Sequence, residues 1–160
     1  MPARLENDRF RLYLAVVGYE FPDAGRDPYD ANWLLIRATL ESVHGAWRWQ
    51  VEDAGTLTWE LGGCIRWLRA LAASEPVDTE RWVFSEPDIS FEVIRQEDRR
   101  VIGLTVYLMD EFQPPTKVLI PRQANVASLR FYTPPDVLSQ LADQLAAELA
   151  RFPQRGERPE

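Results

Sequence analysis

The hydrophobic residues of this chain change their period once, abruptly, and that change limits the folds open to it. Across residues 9–19, Phe10, Leu12, Leu14 and Val16 alternate with Arg11, Tyr13, Ala15 and Val17, the two-residue period of a half-buried strand. Leu34, Ile36, Ala38 and Leu40 repeat the pattern, and beyond a His44-Gly45 turn so do Trp47, Trp49 and Val51, which makes a three-stranded antiparallel meander. At Thr58 the spacing becomes three and four. Leu61, Cys64, Ile65, Leu68, Leu71 and Ala72 then form the stripe of an amphipathic helix reaching about Ala73. Thr58 stands where an N-cap belongs, and Glu60 in the first turn suits the helix dipole. Gly62-Gly63 weakens those turns by roughly 1 kcal/mol per glycine, which implies close backbone packing against a sheet.

Strand patterns resume at residues 82–85 and 89–93, on either side of the turn Glu86-Pro87-Asp88, and continue through residues 101–108 and 126–132. The face bearing Val101, Gly103, Thr105 and Tyr107 is too apolar for open water. Thr133-Pro134-Pro135-Asp136 opens a second helix, with Thr133 as N-cap and Asp136 answering it. Its stripe runs Leu138, Leu141, Ala142, Leu145, Leu149 and Phe152, and Pro153 stops it. The expected architecture is therefore α+β: a mostly antiparallel sheet of about seven strands with two amphipathic helices, one mid-chain and one C-terminal. Residues 1–153 are expected to form a single domain. Residues 154–160 read as a disordered polar tail whose removal should leave stability intact.

Charge and motif content exclude several classes. Eighteen basic against twenty-five acidic residues give a net charge of −7, which opposes binding to a phosphate backbone, so nucleic acid is not an expected partner. The one histidine, His44, and the one cysteine, Cys64, cannot build a His/Cys metal cage, and no metal or cofactor is expected. Cys64 lies in the helix stripe and reads as a buried apolar residue. No GxxxxGK[ST], GxGxxG or GxSxG motif occurs. The charged N-terminus lacks a signal-peptide apolar region and no run approaches the ~20 apolar residues of a membrane span, so a cytoplasmic protein is expected.

Residues 20–30, EFPDAGRDPYD, interrupt the strands with two prolines, a glycine and four acids. This is a loop, and Glu20, Asp23, Asp27 and Asp30 make it acidic. Asn32 has the inward parity of Leu34 and Ile36, so its amide is expected to pin that loop while Trp33 roofs the opposite face. Trp33, Trp47, Trp49 and Trp82 fall on strand patterns and Trp59 and Trp67 on the helix, where large aromatics ordinarily join the core. Trp67 is set apart, lying on the far side of its helix from the Leu61/Leu68 stripe, and is a candidate contact residue.

Taken together, GYEFPDAGRDPYDANWLLIRATL, LTWELGGCIRWLRALA, FSEPDISFEV and a late PPxxxL helix resemble the bacterial WapI-type immunity proteins. The resemblance runs from about Gly18 to about Leu149 and rests on the N-W-L strand at Asn32 and Trp33, the E-L helix start at Glu60 and the E-P turn at Pro87. It implies a protein that protects a bacterial cell by binding a cognate toxin domain, without catalysis and as a monomer. The partner-binding residues expected on this reading are Glu20, Asp23, Asp27, Asp30, Glu86, Asp88 and Trp67. Asn32, Trp33, Glu60 and Pro87 would serve as fold signatures. A competing expectation is a small-molecule-binding protein, or an enzyme using carboxylates, with a pocket between helices and sheet.

Overall fold

The computed structural model describes residues 1–160. Nine strands and two helices follow one another as β1 (Ala3–Glu6), β2 (Phe10–Tyr19), β3 (Trp33–Ser42), β4 (Arg48–Leu57), α1 (Thr58–Ala72), β5 (Arg81–Val83), β6 (Ile89–Arg95), β7 (Val101–Met109), β8 (Arg122–Gln123), β9 (Val126–Tyr132) and α2 (Pro135–Ala150). The α+β class is as expected, but the strands do not form one seven-stranded sheet. They form two antiparallel sheets, a meander β1-β2-β3-β4 and a second sheet in the order β5-β6-β7-β9-β8. The chain changes sheet across α1, because β4 runs straight into the helix and no turn returns it to β3.

Alternation decides the faces. Leu12, Leu14 and Val16 of β2 sit opposite Leu40, Ala38 and Ile36 of β3, and the row continues to Trp49 and Val51 of β4. In the second sheet Phe91, Val106 and Leu129 form one cross-strand row, and Ile89, Leu108 and Ala127 another. These rows and the stripes of both helices merge into one core of 32 buried side chains. Backbone contact between helix and sheet is close where expected: a Cβ on Gly63 would lie 2.7 Å from the Trp82 ring. The apolar face of β7 is covered within the chain, since Val101, Gly103 and Thr105 are buried, and β7 lies so close to β9 that a Cβ on Gly103 would fall 2.2 Å from the Phe131 carbonyl oxygen.

Two N-caps differ from expectation. Leu57 precedes the first turn of α1, and Glu60 reaches back to accept its backbone N–H at 3.1 Å, which frees the Thr58 hydroxyl for another partner. Pro134 precedes α2, and the buried Thr133 hydroxyl makes no hydrogen bond. Near its C-terminus α2 finishes the meander instead. β1 ends opposite Leu14, which leaves the outer edge of β2 uncovered, and the buried Glu148 carboxylate accepts the Val16 N–H there at 2.9 Å.

The C-terminal residues are fastened at Arg155. Asn32 ends a 3-10 turn, Asp30–Asn32, and is wholly buried. Its Nδ2 donates to the Pro28 oxygen at 2.7 Å and the Arg155 oxygen at 2.8 Å. Its Oδ1 accepts from the Thr58 hydroxyl at 2.9 Å and the Arg155 N–H at 2.8 Å. The Arg155 guanidinium stacks on Tyr19, 3.5 Å from the ring centroid, and donates to the Pro22 oxygen at 3.0 Å. Arg155 lies beyond Pro153, where composition marks only a frayed tail, and one residue of that tail closes the base of the acidic loop.

Removing residues 154–160 is therefore expected to destabilise the protein, against the composition-based expectation, by about 1–3 kcal/mol through unpaired buried groups on Asn32. Asn32→Ala should cost about 3 kcal/mol, and the two changes combined should cost less than their sum because they break shared bonds. Urea melts of the two variants and their combination measure this. Additive losses would show that the tail and Asn32 act separately.

Candidate functional site

Carboxylates from four separated segments meet at one end of the molecule. Glu20 and Asp30 come from the ends of the β2–β3 loop, and Asp53 from β4 in the inward row opposite Ile36. Glu86 and Asp88 come from the β5–β6 turn, and Asp110 and Glu111 from a 3-10 turn, Asp110–Phe112, that follows β7 and packs on β4. Asp110 enters that turn in the left-handed region, φ 45°, which aspartate tolerates better than most residues.

Their mutual field shows in two members. The Glu20 carboxyl is held above its ordinary range, first by burial and then by Asp53, Asp30 and Glu86. Asp88 is pushed up to about 6, first by burial and then by Glu111, Asp110, Glu86 and Asp53. Asp53 and Glu86 act on both, so the two groups belong to one acidic patch. No cation offsets the effect in either case. The ion pairs of the protein lie elsewhere, on Glu6, Glu41, Glu52, Glu80, Asp98, Asp143 and Glu148, and none of the seven patch carboxylates takes part in one.

The loops carrying these acids are anchored to the start of α1. Thr58 donates to Asn32, which in turn holds Pro28 of the β2–β3 loop. Glu60 accepts the Ser85 N–H at 2.9 Å and the Ser85 hydroxyl, which fixes the residue just before Glu86-Pro87. Asp27 spends its carboxylate inside the loop, accepting the N–H groups of Tyr29 at 2.8 Å and Asp30 at 3.1 Å. Asp23 is exposed on the loop. Phe21 and Tyr29 expose 43% and 49% of their surface beside the acids, and Tyr29 meets Trp59 edge to face at 5.7 Å. Trp33 is half-buried at the start of β3, and Pro87 is exposed.

Two expected contact residues are not free surface. Trp67 is only 5% exposed, because the segment after α1 folds back over it and the Thr79 carbonyl accepts its indole N–H at 2.9 Å. Asp88 is 7% exposed, its main-chain oxygen fixed by the Met109 N–H at 2.8 Å. Asp53, Asp110, Glu111, Thr58 and Arg155 were missed. Asp53 carried a readable sign, an acid at the inward parity of Trp49 and Val51, whereas the others are joined to the site only by folding.

Concave features are distributed differently from the acids. The gap between sheets and helices, lined by Leu14, Val16, Ile36, Phe84 and Leu145 among others, holds only about 30 Å3, too little for a substrate-sized ligand. A groove of about 590 Å3 crosses the outer face of the meander past Tyr13, Arg37, Thr39, Arg48 and Arg151. Neither includes Glu20 or Asp88. No group of three histidine, cysteine or acidic side chains is arranged to hold a metal ion, and no helix is long and apolar enough to cross a membrane.

Replacing Asp88 by asparagine is expected to stabilise the protein at pH 7. The folded carboxyl keeps its proton to about pH 6 and the unfolded one only to about 3.8, so the stability tied to this group is full below pH 4 and is lost as pH rises through 6. The gain from Asp88→Asn should be about 2 kcal/mol at pH 7.5 and vanish near pH 4. Thermal melts across that range check it, and an equal effect at both ends would remove the electrostatic explanation.

A search of curated protein sequences found no match. The family model described as the Immunity protein WapI-like family matches residues 4–153, from β1 through α2 and on to the proline that follows it. The chain belongs to the WapI-like immunity protein family.

Proposed function

We propose that this protein neutralises a cognate toxin domain by binding it, without catalysis of its own, through the acidic patch. The observation that carries the reading is the convergence of Glu20, Asp30, Asp53, Glu86, Asp88, Asp110 and Glu111 with no cation paired to any of them. A protein stabilised only for itself gains nothing from seven unpaired carboxylates on one face, since like charges held together repel. A basic partner surface reverses the sign of that term. Enzymes that act on nucleic acid present such surfaces, and a stoichiometric cover over one would block substrate access. Phe21 and Tyr29 add the exposed aromatic area that concentrates binding energy at interfaces. On this reading the protein works as a monomer in the cytoplasm, where a toxin made by or delivered to the cell would act.

The direct test is co-expression with the toxin domain encoded beside its gene, followed by purification of the complex and a growth-protection assay. Failure of any neighbouring toxin domain to bind would sink the reading. Given a complex, exchanging Glu20 and Asp30 together for lysine should slow association about tenfold at low salt and flatten its salt dependence, with little change in melting temperature. Asp136→Lys, at the far end of α2, is the control and should leave association unchanged. Equal effects from both variants would move the interface away from the patch.

A further inference from the structure

Asp88 differs from its neighbours in one respect that neither folding nor a general acidic surface explains. It is 7% exposed, yet its carboxylate accepts no hydrogen bond and joins no ion pair within the chain. The other fully buried acid, Glu148, accepts the Val16 N–H, and among the half-buried ones Glu60 is held by Leu57 and Ser85 and Glu41 by the Tyr13 hydroxyl; Glu20 also lacks a donor but lies more open to water. The carboxylate oxygens are not sealed in the core, because they are absent from the fully enclosed atoms that lack a partner, the Trp82 indole nitrogen and the Thr133 hydroxyl. A small opening onto the patch remains. A buried acid left without a donor costs free energy, and the cost is withdrawn when a donor arrives.

We propose that Asp88 is the seat for a single arginine side chain of the protein partner, which reaches it through the acidic patch made by Asp53 of β4, Glu86 of its own turn, and Asp110 and Glu111 of the turn after β7. The charges facing Asp88 from these elements are all negative, so the seat selects a cation. A metal ion does not suit it, since no three acidic side chains come close enough to ligate one. Arginine suits it better than lysine: its guanidinium stays charged when desolvated, is weakly hydrated, and meets a carboxylate with two parallel N–H groups. The surrounding acids steer the cation to the seat and Asp88 holds it. Binding then expels the proton that Asp88 carries near pH 6, so affinity falls as pH drops through that value.

The inference rests on the neutralisation reading for the identity of the partner, and two experiments separate them. In the first, the full protein alone is titrated with arginine amide, and the Asp88 carboxyl carbon is followed by NMR against sodium chloride at matched ionic strength and against calcium chloride. Arginine amide should lower the Asp88 titration midpoint by about one pH unit more than either salt. An equal response to sodium chloride, or a larger one to calcium, overturns the seat. In the second, the toxin domain of the preceding test is bound to Asp88→Asn and to the wild type between pH 5.5 and 7.5. The variant should bind about 100-fold more weakly at pH 7.5 and lose the proton release on binding, although it is the more stable protein. Wild-type affinity in Asp88→Asn, with the Glu20/Asp30 reversal still harmful, overturns the seat and leaves the neutralisation reading standing. Absence of any toxin complex, with the arginine amide response intact, does the opposite.

Discussion

The buried amide of Asn32 is the contact on which the acidic end of the molecule depends. An asparagine side chain offers two donor hydrogens and two acceptor lone pairs, and here all four are used, by Pro28, Arg155 twice and Thr58. Each bond alone contributes about 1 kcal/mol net. Their placement matters more than their sum, because they join the β2–β3 loop, the start of α1 and the C-terminal segment at one fully buried point. Two residues further along the same helix start, Glu60 holds Ser85 and so fixes the second acidic turn. One turn of helix thereby sets the positions of both acid-bearing loops.

That anchorage is needed because the patch pushes itself apart. At an effective dielectric between 20 and 80, two carboxylates about 8 Å apart repel by about 0.5–2 kcal/mol. Unrestrained loops would relieve this by swinging their acids into water, and a partner would then have to reassemble them. Arg155 is the one cation fastened beside the β2–β3 loop, and its guanidinium is turned to Tyr19 and the carbonyl oxygens of Phe21 and Pro22 rather than to the acids. It braces the loop without discharging the patch.

Local period made much of this fold legible. The faces of β2, β3 and β4, the sheet-to-helix switch at Thr58 and the stripes of both helices were all readable, since each depends on neighbours within a few residues. The division into two sheets was not, because alternation tells which face of a strand is apolar and not which strand lies beside it. β1 and β8 escaped for a simpler reason: four residues and two residues are too short to establish a period. Asn32 could be singled out as a polar residue at an inward position. Thr58 drew attention as a cap, yet Glu60 took over the reach back to the helix start and the threonine hydroxyl turned to Asn32 instead. Arg155 was illegible for the same physical reason as Trp67. Each is covered or clasped by a segment whose own sequence is polar and irregular, and only the folded chain brings the two together.

The two polar residues that matter most here are both buried, and their difference separates scaffold from site. Asn32 is neutral and saturated; every bond it can make is made within the chain, and the result is rigidity. Asp88 is chargeable and has no donor within the chain, four other acids act on it, and its proton affinity is raised by burial before any neighbour acts. Folding alone would favour an asparagine or an apolar residue at position 88, just as it favours the amide at position 32. A carboxylate kept where it weakens its own fold is a residue whose favourable partner lies outside the chain. Scaffold and site are joined through the start of α1, where Thr58 holds Asn32 and Glu60 holds Ser85, three residues before Asp88: the amide at position 32 belongs to the fixed frame, and without that frame a lone buried acid would relax toward solvent.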